Sequence, residues 1–98
     1  MEYPKAALNA SYKEKYISVL TEYLSSLRAK VGVTQEELSK IIGVSRQTYY
    51  AIENRSREMS WSMYMTLIMF FDTNEKTHDM LRTIGAYPDE LMALIKQK

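Results

Sequence analysis

The stretch Thr34–Asn54, TQEELSKIIGVSRQTYYAIEN, reads as two short helices on either side of one glycine. Thr34 is placed to cap the first, and Glu36 and Glu37 in its opening turn suit the positive end of a helix dipole. Leu38, Ile41 and Ile42 form its apolar side, and Gly43 ends it. Ser45 caps the second, which turns Tyr49 and Ile52 one way and Arg46, Gln47, Tyr50, Ala51 and Asn54 the other. An arginine and a glutamine side by side on the outer face of a short helix ask for a partner with donors and acceptors in a fixed pattern.

The chain around this stretch narrows the choice. Its 98 residues suffice for one core without staples. With no cysteine, disulfides, thiolate metal sites and cysteine nucleophiles are excluded, and a reducing cytoplasm is the expected compartment. No run of 18 apolar residues and no basic leader segment is present, so neither a membrane span nor a signal peptide is expected. Three glycines and two prolines leave little material for hairpins, which favours an all-α chain. The net charge is only +1, unevenly spread. Between Arg28 and Arg57 six basic residues face three acids, leaving +3; elsewhere seven basic residues face nine acids, leaving −2.

Periodicity supplies the remaining elements. Residues 1–10 lack a pattern and hold Pro4, so they are expected to form an arm; residues 11–98 are expected to form a single helical domain. Ser11 and Glu14 fit a capping box at the start of a long helix carrying Tyr16, Leu20, Tyr23, Leu24, Leu27 and Val31 on one face, closed by Gly32. Ser60 caps a fourth helix with Trp61, Tyr64, Ile68 and Phe71 in a stripe. Met63, Met65, Met69 and Phe70 make it apolar nearly all round, hence central. A fifth helix is expected over residues 75–84. A sixth opens at Pro88 with Asp89 and Glu90 and bears Leu91, Leu94 and Ile95 on one face, within a C-terminal extension over residues 72–98.

Two helices joined by a glycine turn, the second freely presented, make a helix-turn-helix unit, here residues 35–54. At this point the sequence resembles the Cro/phage-repressor (XRE-like) helix-turn-helix family, over Leu24 to Phe71. The motifs that carry the resemblance are T-Q-E-E-L, G-V-S-R and I-E-N at their proper spacing, with leucine fourth, a small residue fifth, glycine ninth and isoleucine eighteenth in the unit. The resemblance implies a lambda-repressor-like all-α fold of five or six helices, with a long first helix and extra C-terminal helices. It also implies a sequence-specific regulator of transcription binding double-stranded DNA, read here as a repressor acting as a homodimer. Base contacts then fall to Arg46, Gln47 and Ala51. Backbone contacts fall to Gln35, Ser45, Tyr50, Asn54, Arg55 and Arg57, and Arg28 with Glu53 forms a structural ion pair. Three positions depart from the family pattern: Tyr49 replaces valine or isoleucine, Arg55 the glycine after I-E-N, and Met59 a proline.

Other classes fare worse. Gly-rich phosphate loops, H-E-x-x-H and a histidine placed to pair with a serine are all missing, so neither an enzyme nor a cofactor or metal site is expected. His78 reads as a surface residue. The alternative function is a protein-interaction module, an antitoxin-like partner or adaptor on the same fold, suggested by the low net charge and the methionine-rich fourth helix.

Overall fold

The computed structural model describes residues 9–97, all in helices and connecting turns. Helix α1 spans Ala10–Val31, α2 Gln35–Ile42, α3 Arg46–Glu53, α4 Trp61–Thr73, α5 His78–Thr83 and α6 Asp89–Lys96. The expected arm falls mainly on residues 1–8, outside the described residues.

Side chains that satisfy free N–H groups set most of the boundaries. Thr34 and Glu37 form a reciprocal capping box on α2. Ser45 accepts from the Thr48 amide at 3.0 Å, and Ser60 from the Met63 amide at 3.1 Å. The expected capping box at Ser11 and Glu14 does not form. Asn9, on extended backbone just ahead of the helix, takes the role by accepting from the Tyr12 amide at 2.8 Å. Asparagine caps as well as serine does; Ser11 lies exposed inside the first turn and Glu14 exposed just beyond it.

Leu20, Leu24 and Leu27 of α1 meet Leu38 of α2, Tyr49 and Ile52 of α3, and Tyr64, Leu67, Ile68 and Phe71 of α4 in one core. Helix α4 is central as expected, yet Met69 on its outer side is exposed. Helix α5 starts three residues later than its periodicity suggests. The Asn74 amide oxygen accepts from the Lys76 N–H, and the buried Thr77 hydroxyl donates to the Phe71 carbonyl at 2.6 Å. These bonds close α4 and use up the turn that would have begun α5.

The last helix leans on the first. Leu91 and Leu94 pack on Tyr12, while Ile95, expected on the same face, is exposed because eight residues on the edge of the domain bury only a narrow strip. Pro88 gives α6 no side-chain cap. The Tyr12 hydroxyl accepts from the Leu91 amide instead, at 3.3 Å.

Candidate nucleic-acid interface

Helices α2 and α3 meet across a turn at Gly43, whose φ of +80° glycine adopts without strain. Gly43 and Val44 both donate to the Ser39 carbonyl at 3.0 Å, closing α2. Ser39 is buried where the helices cross, and its hydroxyl donates to the Glu36 carbonyl at 2.7 Å. With Leu38, Tyr49 and Ile52 inside, the other side of α3 points outward.

That outer side brings together Arg46, Gln47 and Asn54, all exposed, with Tyr50 and Ala51 half-buried between them. The Ser45 hydroxyl accepts from the Thr48 amide and donates to the Thr48 hydroxyl at 2.9 Å, so it is engaged within the first turn. Gln35 lies half-buried at the start of α2. Arg55 and Arg57 are exposed in the loop after α3, and Arg57 Nη1 donates to Thr48 Oγ1 at 3.4 Å. Thr48 thus links the helix cap to the loop, and nothing in its spacing signals that.

The loop itself follows from the departures noted in the sequence. Arg55 takes the left-handed conformation, φ +67°, where the family pattern has glycine. Asn54 Oδ1 accepts from the Ser56 amide at 2.9 Å, and the Ser56 and Arg57 amides both donate to the Ala51 carbonyl. Met59, in place of the proline, is buried and pins the far end of the loop to the core.

Arg28 and Glu53 hold the unit to α1. Arg28 Nη2 lies 3.1 Å from Glu53 Oε1 and Nε 3.3 Å from Oε2, a two-pronged pair, while Nη1 donates to the Val33 carbonyl at 3.1 Å. The Glu53 bonds hold the guanidinium proton more firmly than usual, against a smaller opposing effect of burial. Beside this pair, Tyr49 is fully buried and its hydroxyl has no hydrogen-bond partner. Burial pushes its phenol far above the ordinary range; the Glu53 carboxylate adds to this and Arg28 opposes it.

Arg46 has contacts that its position alone does not reveal. Its Nε donates to the Tyr50 hydroxyl at 2.9 Å, and its guanidinium carbon stands 4.9 Å from the Tyr50 ring centroid. Glu36 Oε2 is 3.9 Å from Arg46 Nη1, while Glu36 Oε1 is 3.6 Å from Lys40 Nζ. No groups of acidic, histidine or cysteine side chains suited to a metal occur among the described residues.

Residues 24–60 match the family model described as Helix-turn-helix. Over this segment the chain is similar to helix-turn-helix domains of the XRE/Cro type. The match runs from Leu24 in α1 to Ser60, the cap of α4, and stops short of Phe71, where the resemblance in sequence ends. The match supports a DNA-binding helix-turn-helix regulator in general. No curated protein and no solved structure matches the chain. No helix among the described residues is long and apolar enough to cross a membrane.

Proposed function

We propose that this chain is a sequence-specific repressor that reads the major groove of double-stranded DNA with α3. The observation that carries the reading is the outward face of α3, with Arg46 and Gln47 exposed on a helix whose opposite face is locked in the core. A major groove about 12 Å wide admits such a helix. Arg46 pairs with guanine O6 and N7, Gln47 reads adenine N6 and N7, and Ala51 meets a thymine methyl. Gln35 and the helix starts face phosphate, with Ser45 contributing there through its backbone. Tyr50, Asn54, Arg55 and Arg57 complete the contacts to the DNA backbone.

Repression is the simpler sign, because occupying a promoter blocks it without a second contact surface. One helix covers about four or five base pairs, so a homodimer on half-sites about 34 Å apart, in the cytoplasm, gives a usable target length. The rival reading, a protein-interaction module, draws on exposed Ile41 and Met69, which border a shallow groove with Ile42 and Phe70.

Selection from a random double-stranded DNA pool, followed by titration of the winner at several salt concentrations, tests the proposal. A palindrome with a steep negative salt dependence is the expected result. No enrichment, with weak and salt-labile binding alone, would overturn it in favour of the interaction module.

A further inference from the structure

Arginine carries large side-chain rotamer entropy, and an exposed one samples many directions unless something holds it. Two groups compete to hold Arg46. Glu36 approaches Nη1 only to 3.9 Å and shares its charge with Lys40; both side chains of the Glu36–Arg46 contact are more than half exposed. An exposed ion pair of this kind contributes little. Tyr50 acts differently. Its ring is packed against the core, so it is a fixed platform one helical turn beyond Arg46. Its face lies against the guanidinium, and its oxygen takes the Nε hydrogen at 2.9 Å.

That bond decides which donors remain. With Nε engaged, a side-on fork built from Nε and one terminal nitrogen is unavailable. The free fork is the end-on pair, Nη1 and Nη2. An end-on fork fits the two adjacent acceptors O6 and N7 of guanine and no other major-groove edge, since adenine offers a donor where guanine has O6. We propose that Tyr50 is a positioning residue that fixes Arg46 as an end-on reader of guanine. Its hydroxyl accepts from Arg46 with a lone pair and keeps its own proton, so a phosphate contact by Tyr50 is compatible with this role but separate from it. Without the hydroxyl, Arg46 regains the freedom to swing to a neighbouring phosphate, a sequence-blind contact.

This inference rests on the base-reading role of Arg46, and a double-mutant cycle separates the two. The duplex is the one recovered by selection, compared with a copy carrying adenine for guanine at the Arg46 position and with unrelated DNA. Tyr50→Phe keeps the ring and the core contact, and Tyr50→Leu serves as a second variant that also removes the platform. The expected result is that Tyr50→Phe weakens binding to the selected site about threefold to tenfold, in keeping with loss of one hydrogen bond. Guanine-over-adenine discrimination should fall severalfold, with affinity for unrelated DNA falling by less and the salt slope unchanged. In an Arg46→Ala background the same substitution should cost distinctly less, leaving only the loss of its phosphate contact. An equal cost in both backgrounds, felt on selected and unrelated DNA alike, would overturn the positioning role and leave Tyr50 an independent phosphate contact. Full discrimination retained by Arg46→Ala would overturn the base-reading role, and the positioning role with it.

Discussion

Tyr49 is fully buried at a position where the family pattern has an aliphatic residue, and its hydroxyl, close to Glu53 and Arg28, makes no hydrogen bond. An unpaired buried hydroxyl costs about 1–3 kcal/mol. Tyr49→Phe should therefore raise stability by about 1 kcal/mol, measured by urea unfolding; a loss instead would show that the hydroxyl is bonded in solution. The neighbouring Arg28–Glu53 pair predicts the opposite sign. Glu53 is the more enclosed partner, with 10% of its side chain exposed against 21% for Arg28. Glu53→Ala should cost about 2 kcal/mol, between the values typical of exposed and of buried pairs. The sequence places Tyr50 outward on α3 as an expected DNA-backbone contact. Its bond to Arg46 depends on rotamers, which a pattern of residue types does not carry.

At the scale of elements, the clearest lever is the loop between α3 and α4. A left-handed backbone costs a residue with a side chain about 1–2 kcal/mol, and Arg55 bears that cost. Arg55→Gly should raise the melting temperature while weakening DNA binding, with a shallower salt dependence from the lost charge. Unchanged salt dependence would remove Arg55 from the interface. Caps explain how much of this level was legible in advance. Thr34, Ser45 and Ser60 each stand three residues before the amide they satisfy, with a periodic run behind them, so α2, α3 and α4 could be placed from local chemistry. The starts of α1 and α5 could not. Asn9 and Ser11 were both competent caps, and the Thr77 hydroxyl is drawn away by a carbonyl at the end of another helix. The outward face of α3 was equally legible, since burying Tyr49 and Ile52 forces it outward. The bond from Arg57 to Thr48 was not, because it follows from the left-handed turn at Arg55.

For the molecule as a whole, buried phenols set the alkaline limit. Burial raises the Tyr12 hydroxyl from 10.0 to about 12, partly offset by the Leu91 amide, and burial likewise raises Tyr49 and Tyr64. The folded chain thus holds these protons more tightly than the unfolded one. The stability they contribute is complete below pH 10 and is lost as the pH rises through 12 and beyond. Tyrosinate absorbance from these three phenols should rise in a cooperative step that coincides with loss of helical circular dichroism. Smooth titration of every phenol near pH 10 with the fold intact would contradict the burial of all three.

The bond from Leu91 to Tyr12 joins residues 79 positions apart, linking the first described helix to the last. Closing so large a loop is the entropically costliest step in assembling the chain, and contacts at such sequence separation form slowly. Helix α6, eight residues long, cannot persist by itself. It should therefore dock after the rest of the domain has folded and detach first. Its amides should exchange with solvent well ahead of those in α1 and α4, whereas the connection before it stays protected, since Ala86 and Pro88 are buried and the Tyr64 hydroxyl donates to the Ala86 carbonyl at 2.7 Å.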